Sequence, residues 1–508
     1  MTIASENNKR IAKNVFFLYI RMIVIMLVQL YTSRIILESL GIEDYGIYNI
    51  VGAVVISLSF ITGPLSAATQ RFLNYELGKK NIEGLNEVFN TSLYIYFILS
   101  VIILIGGESI GLWFLNYQLE IPAERVYAAN WVFQCSLITF VLNILNIPFN
   151  SLIIAYEKMS FYAYISIFEA IAKLSIAYFL IFTTNDKLIL YGLLVMIVAF
   201  FITSIYKIYC NKYLPNLKIR IAKSNQKIKQ LLSFSGWSLW GAMANMSAEQ
   251  GINLLLNIFF GVTINAATGI ANQIAAAINQ FVTNLQTAFN PSIIKNYAQG
   301  NKDILHNLVC RSSKFSFIML FMITCPILYN TEYLLYLWLG KCIPTYAPIF
   351  CQLMIVSLLI DSLAAPLWAS VNATGKIKYY QLCISLSIFS NIIISYIFLK
   401  AGYPPSIVFI IKGVVTVCNF CIRLFFAKKL IKLSVIYYFK KALCRIVCVC
   451  SLIFILFSVI DIYDEGWSRL IQTTLLFFVT YLPLIYYIGL TKTERIFIKQ
   501  KLIIKNKI

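Results

Sequence analysis

The sequence predicts an all-α polytopic membrane protein with about 14 transmembrane helices. Of its 508 residues, 60% are hydrophobic and only 12% are charged, which is about half the charged share of a typical soluble domain. The apolar residues form stretches of about 20 residues, the length that a helix needs to cross a bilayer. The ten-residue blocks of alternating polarity that indicate a transmembrane β-barrel do not occur.

Fourteen apolar stretches divide the chain. The eighth is the least apolar, because polar amides interrupt it. The predicted spans are 12–37, 45–70, 86–107, 127–150, 160–183, 188–207, 232–258, 266–289, 312–336, 347–370, 378–399, 404–427, 439–460 and 467–489.

The formal net charge of +21 follows from this topology. With the N-terminus in the cytoplasm and alternating spans, most of the 42 Lys and Arg residues fall in cytoplasmic segments, and acidic residues are enriched outside. This is the charge bias of multi-pass membrane proteins. We therefore expect a cytoplasmic-membrane location with both termini cytoplasmic, and no nucleic-acid partner.

A basic cytoplasmic linker, 208–231, separates the first six spans from the next six. It divides the chain into an N-terminal lobe (1–207), a C-terminal lobe (232–428) and an appended helical hairpin with a basic tail (429–508). Gly41 matches Gly261 at an offset of 220, and Gly78 and Gly300 end similar polar turns. An even number of helices in each lobe predicts parallel repeats.

Charged residues within the spans are costly, at roughly 2.5–3.5 kcal/mol each at a helix centre. They therefore face protein or water more often than lipid. Some have structural explanations, such as snorkelling to the interface or, for Glu169 and Lys173, pairing one helical turn apart. Seven of them are candidates for a functional or structural role within the membrane: Arg21, Arg34, Glu169, Lys173, Glu249, Asp361 and Lys412.

Polar residues also recur along spans seven and eight. Asn245, Glu249 and Asn253 lie four residues apart and share one helix face, and span eight carries Gln273 and Gln280 among small residues. In lipid these amides need partners. They either join helices or line a hydrated pathway for a polar solute, and their number favours the pathway. With the charged residues, except Arg34, they form the predicted substrate pathway.

Several functional classes lack their signatures. The chain has no phosphate-binding loop of the GxxxxGK[ST] type and a single histidine, His306, in a predicted cytoplasmic loop. The 12 cysteines show no metal-binding spacing and are expected to be buried thiols. No cleavable signal peptide is evident. We expect no catalytic residues, no metal and no cofactor, and therefore no enzyme.

Three segments carry a family resemblance. Residues 14–49 read NVFFLYIRMIVIMLVQLYTSRIILESLGIEDYGIYN, residues 69–72 read TQRF, and residues 229–241 read KQLLSFSGWSLWG. A basic residue in the first helix, followed by LG-x-x-x-YGIY at the second, resembles bacterial polysaccharide flippases. These belong to the superfamily of multidrug, oligosaccharidyl-lipid and polysaccharide exporters.

The resemblance implies an alternating-access carrier. Its cargo would be an undecaprenyl-diphosphate-linked oligosaccharide, a repeat unit of O-antigen, capsule or exopolysaccharide, moved from the inner to the outer leaflet. Arg21 would bind the diphosphate, and the amides would replace water around the sugar hydroxyls. The expected partners are this lipid-linked oligosaccharide, membrane lipids, a coupling cation or proton, and a polysaccharide polymerase with its export machinery.

Three alternatives remain open. A cation-coupled multidrug exporter of the same superfamily would use Glu249 and Asp361 for a cationic drug or a proton. A membrane polysaccharide polymerase or ligase would need a large outer catalytic loop, which the predicted topology lacks. A scaffold for envelope assembly would not need seven charged residues inside its spans.

The predicted topology is testable with reporter fusions. A reporter joined after Lys492 is expected to be active in the cytoplasm, because the segment that follows the last span is basic. Alkaline phosphatase and green fluorescent protein fusions give opposite signals on the two sides. Phosphatase activity at this position would contradict the orientation.

Overall fold

The computed structural model describes most of the chain. All regular secondary structure in the described residues is helical, which confirms the all-α fold class. Residues 214–223 of the predicted linker, and Lys492, lie outside the described part. The described residues are 3–56, 61–119, 121–183, 186–213, 224–340, 343–459, 466–491 and 494–495.

Seventeen α-helices lie in this part of the chain, with short π-helical segments at Gly107–Gly111, Phe439–Leu443 and Ile485–Gly489. The α-helices are α1 (Ile3–Ile56), α2 (Thr62–Gly78), α3 (Ile82–Gly106), α4 (Leu112–Tyr117), α5 (Val126–Ala155), α6 (Met159–Ile181), α7 (Lys187–Tyr213), α8 (Asn225–Phe260), α9 (Val262–Ala298), α10 (Lys302–Tyr329), α11 (Thr331–Leu339), α12 (Ala347–Ala373), α13 (Lys378–Lys400), α14 (Ile407–Ile431), α15 (Val435–Tyr438), α16 (Cys444–Val459) and α17 (Gly466–Leu484).

Eleven helices in the described residues are long and apolar enough to cross a membrane, so the chain is a multi-pass membrane protein. They correspond to all the predicted spans except 45–70, 232–258 and 266–289. The described residues of these three regions are helical as well, as parts of α1 and α2, and as α8 and α9. In α8 and α9, polar residues lower the hydropathy without breaking the helix, because side-chain polarity does not disturb backbone hydrogen bonding. Within 45–70, the described helical stretches are too short to cross a membrane.

The helices form two compact units. Unit 1 comprises Met1–Met243 and Thr287–Gly300, and unit 2 comprises Ala244–Gln286 and Asn301–Ile508. Helices α8 and α9 contribute residues to both units. The predicted lobe boundaries at 207 and 232 stay predictions.

Each unit is organised around one central helix. In unit 1, α5 packs against α3 and α7, and in unit 2, α12 packs against α10 and α14. Val132 and Phe133 of α5 are buried in the core of unit 1. Phe350 and Cys351 of α12, 218 residues later, are buried in the core of unit 2. The same helix order and the same central helix support an internal duplication.

Backbone breaks repeat in the same way. Gly41 interrupts α1 with φ 79° and ψ 170°, and Gly261 separates α8 from α9 with φ 75°. Both positions favour glycine, because side chains rarely adopt this conformation. Proline lies inside both central helices, at Pro148 and Pro366.

Gly78 and Gly300, the second glycine pair matched in the sequence, have different structural roles. Gly300 has φ 75°, but the residue at the matching offset is Lys80, with φ 56°, and Gly78 lies within α2. A Cβ atom at Gly78 would approach the Cβ of Ala298 to 2.7 Å and the carbonyl oxygen of Lys295 to 2.8 Å. Gly78 therefore permits a close approach of α2 to the end of α9, and the turn is made two residues later.

The last two helices complete unit 2. Val449 and Ile453 of α16, and Phe477 and Tyr481 of α17, form a buried cluster with Ile318 of α10. The Tyr481 hydroxyl donates to the Ile318 carbonyl at 2.9 Å. Helices α16 and α17 therefore pack on the core of this unit through a shared apolar surface.

The break at Gly41 predicts a backbone effect on stability. Gly41→Ala is expected to destabilise the protein by about 1–3 kcal/mol, because this region of φ and ψ is essentially restricted to glycine. Nothing lies within 4 Å of the added Cβ, so steric clash does not contribute. Thermal unfolding of the purified protein in detergent measures the change.

Gly46→Ala is the matched control. Gly46 lies in the same helix, its added Cβ also meets nothing within 4 Å, and its φ is not positive. Alanine there should leave the melting temperature unchanged or raise it, since alanine favours a helix over glycine by about 1 kcal/mol. Equal melting temperatures for the two variants would argue against strain at position 41.

Candidate functional site

Unit 1 contains a polar cluster around Arg21. The guanidinium carbon of Arg21, on α1, lies 4.4 Å from the ring centroid of Tyr162 on α6. The Arg21 Nε is buried and makes no hydrogen bond to another described residue. A cation–π contact stabilises a charge in a low-dielectric environment but leaves the N–H donors of the guanidinium group available.

Glu169 and Lys173 lie on α6 of the same unit. Lys173 Nζ and Glu169 Oε1 are 2.7 Å apart, which confirms the predicted pairing one helical turn apart. Both side chains are partly exposed. The buried Tyr206 of α7 interacts electrostatically with both Arg21 and Glu169. Three predicted site residues therefore belong to one neighbourhood.

Unit 2 contains a second charged cluster. Lys412, on α14, interacts electrostatically with Glu249 on α8 and with Asp361 on α12. Three residues predicted separately from the sequence therefore come together from three helices. Each charge is partly compensated by the others, which lowers the cost of placing it among apolar helices.

Arg423 completes this cluster. Its Nη1 lies 3.3 Å from Asp361 Oδ1, and its side chain also interacts electrostatically with that of the buried Tyr380. Sequence reasoning did not select Arg423, although it lies within the predicted span 404–427. The spacing of Arg423 from Lys412 could have indicated its position. A residue eleven positions after Lys412 lies three helical turns away on nearly the same helix face.

The polar residues of α8 and α9 are accessible. Asn245 and Glu249 are exposed and Asn253 is partly exposed on α8, while Gln273 and Gln280 are exposed on α9. Among the described residues, the side chains of Glu249, Asn253, Gln273 and Gln280 form no hydrogen bonds with other residues, whereas Asn245 does interact. The three amides Asn253, Gln273 and Gln280 therefore do not join helices by hydrogen bonds, and the place of all five residues in a substrate pathway stays a prediction.

Arg71 is a second residue that sequence reasoning did not select. It is buried on α2, with its guanidinium carbon 4.4 Å from the ring centroid of Phe72 and 5.0 Å from that of Tyr75. It is the arginine of the TQRF segment. The predicted bounds of span two end at residue 70, so Arg71 was taken for a residue outside the membrane.

No group of three or more His, Cys, Asp or Glu side chains in the described part of the chain is arranged to hold a metal ion. The charged clusters instead mix cations and carboxylates. Such an arrangement can bind an anionic or a cationic group, or exchange a proton, depending on which charge is free to face the solute.

Comparisons with known proteins give the fold. No family model matches the chain, and no curated protein matches its sequence. A solved structure of a MATE point mutant aligns with a TM-score of 0.71 and 16% identity, over 83% of this chain and 97% of that chain. A MATE protein in a straight conformation aligns with a TM-score of 0.70 and 17% identity, over 85% and 100% of the two chains.

A third structure shows that this fold occurs with different pockets. It is a MOP superfamily transporter from Pyrococcus furiosus, described as having a binding pocket of reverse polarity that suggests a different function. It aligns with a TM-score of 0.69 and 16% identity, over 83% of this chain and 97% of that one. The structural neighbours are thus MATE family transporters of the MOP superfamily, and this chain has their fold.

Proposed function

We propose that this chain is a secondary exporter that carries an organic solute across the membrane by alternating access. The observation that carries the proposal is the alignment over 97–100% of the MATE structures. A fold alone does not determine a function, so the cargo must be argued from the charged residues. No phosphate-binding loop accompanies the fold, which favours an ion gradient as the energy source.

The first cargo we propose is an amphipathic organic cation, exported in exchange for a proton or another cation. One structural neighbour is described as a multidrug resistance MATE family transporter, with a TM-score of 0.69 and 17% identity. Glu249 is the residue best suited to ion coupling, because its carboxylate is exposed and interacts with Lys412 only electrostatically. Asp361 is less suitable, since Arg423 pairs with it.

The second cargo is a lipid-linked oligosaccharide, and Arg21 favours it. A buried guanidinium Nε without a hydrogen-bond acceptor suits a ligand that brings its own anionic oxygens, such as a diphosphate. The exposed amides of α8 and α9 suit sugar hydroxyls. Under this proposal the exporter lies in a bacterial cytoplasmic membrane and works with a polysaccharide polymerase and its export machinery.

One experiment separates the two cargoes. The purified protein is reconstituted in liposomes and tested for ethidium transport driven by a proton or sodium gradient, and for outward movement of a fluorescent undecaprenyl-diphosphate-linked oligosaccharide. Gradient-dependent ethidium transport supports the first cargo. Oligosaccharide movement without ethidium transport replaces the first cargo with the second, and failure of both contradicts the exporter proposal.

Glu249→Gln tests the coupling role. Glutamine keeps the size and hydrogen-bonding capacity but cannot titrate, so gradient-driven export should fall by about 5- to 150-fold, the usual range of coupling between two ligands. Counterflow of ethidium without a gradient should persist. Glu38→Gln, which removes an exposed carboxylate paired with Arg34, serves as the control. Normal gradient-driven export by Glu249→Gln would exclude this residue as the coupling site.

Arg21→Ala tests anion binding by the oligosaccharide carrier. Loss of a charge-assisted hydrogen bond should weaken the apparent affinity for the diphosphate cargo by ~10- to 150-fold. Arg21→Lys should have a smaller effect, since it keeps the charge but loses the planar guanidinium fork.

Arg34→Ala controls for the loss of a basic residue in α1, because the Arg34 side chain is 76% exposed. Concentration-dependent flipping in liposomes measures each affinity. If Arg21→Ala and Arg34→Ala have the same affinity as the unaltered protein, Arg21 does not contact the cargo.

A further inference from the structure

Unit 2 contains a cavity of about 340 Å³ near the start of α10, well separated in sequence from the charged residues of the proposed transport pathway. The π-helical segment Phe439–Leu443 and the segment that follows α17 form its other walls. The topology predicted from loop charge places this end in the cytoplasm. The polar lining comprises Asn307, Arg311, Lys314, Lys441, Thr491 and Glu494.

Both carboxylate oxygens of Glu494 contact other residues of the protein. Its Oε2 lies 2.6 Å from Lys314 Nζ, and these side chains are 4% and 1% exposed. The backbone N–H of Thr491 also donates to Oε2, at 2.8 Å, and Oε1 lies 3.2 Å from Arg311 Nε. Burial opposes ionisation of Glu494, but Lys314 outweighs this effect and holds the pKa of the carboxyl below its usual value, so it is ionised at neutral pH.

The surrounding cations outnumber this carboxylate. Lys441 hydrogen-bonds the Tyr437 hydroxyl at 2.7 Å and the Asn307 Oδ1 at 3.5 Å, both uncharged groups. Arg445 donates to backbone carbonyls and interacts electrostatically with Lys314. Among the described residues, three cations, Arg311, Lys314 and Lys441, thus line the cavity with one carboxylate, Glu494, and Arg445 adds a fourth positive charge near Lys314. Like charges at this density repel, and a second anion in the cavity would relieve that repulsion.

We propose that this cavity binds the phosphate of an anionic phospholipid headgroup from the cytoplasmic leaflet. Basic pockets between transmembrane helices on this side are suited to such headgroups. The cavity is near the lower limit of small-molecule pockets, which fits a headgroup better than a nucleotide. Ile436 and Phe439, which precede Lys441, are exposed apolar residues that suit contact with an acyl chain. Free phosphate has the same chemistry but would not use this apolar contact.

Native mass spectrometry of the delipidated full-length protein tests the site. Phosphatidylglycerol should remain bound at lipid concentrations where phosphatidylcholine does not. Lys441→Gln should weaken phosphatidylglycerol binding about fivefold, the contribution of one basic residue near an anionic surface, and Lys441→Arg should retain it. Lys440→Gln is the matched control, because it removes the same charge from an exposed neighbour that does not line the cavity.

Two results would overturn the proposal. Equal weakening in Lys440→Gln and Lys441→Gln would mean that lipid responds to the general surface charge and not to the cavity. An equal rise in melting temperature with millimolar inorganic phosphate and with phosphatidylglycerol, lost in Lys441→Gln, would identify free phosphate as the ligand. Since lipid binding is measured without transport, its outcome is independent of the proposed exporter function.

Discussion

The structure depends on one constraint: polar groups in a membrane need partners within the protein. Helices satisfy the backbone hydrogen bonds internally. The polar groups that still need partners are therefore the side chains and the backbone groups at helix breaks. The described residues meet this cost in three ways. Arg21 and Arg71 lie against aromatic rings, carboxylates lie beside cations, and the backbone breaks at glycines. Each of these arrangements allows a charged side chain or a backbone break to lie within an apolar helix without unfolding the helix.

The same constraint explains why the least apolar helices are informative. The regions 232–258 and 266–289 fall outside the helices that qualify as membrane spans on hydropathy, yet they are helical. They form α8 and α9, whose exposed amides make few contacts with other residues. Polarity that is not used for packing requires another explanation, and a solute that passes along these helices provides one.

The charged side chains of the two units find their partners in different ways. The cluster in unit 1 joins a cation–π contact to a separate Glu169–Lys173 ion pair, so the Arg21 charge is not neutralised by a direct ion pair. The cluster in unit 2 alternates cations and carboxylates, from Glu249 through Lys412 and Asp361 to Arg423. The two units therefore share a helix arrangement but contain unlike charged clusters, which is consistent with the proposal that cargo and coupling ion are handled by different chemistry.

The sequence by itself determined the fold class, because the length and number of apolar stretches and the distribution of charge follow directly from crossing a bilayer. It also matched Gly41 with Gly261 as equivalent positions of a repeat, and the structure shows that both have a positive φ. It could not assign the turn to Lys80 instead of Gly78, because the close approach to Ala298 involves residues distant in the chain. Nor could the sequence predict that Lys412 interacts with both Glu249 and Asp361, or that Arg423 pairs with Asp361. Those contacts join three or more helices, and only tertiary packing decides which faces meet.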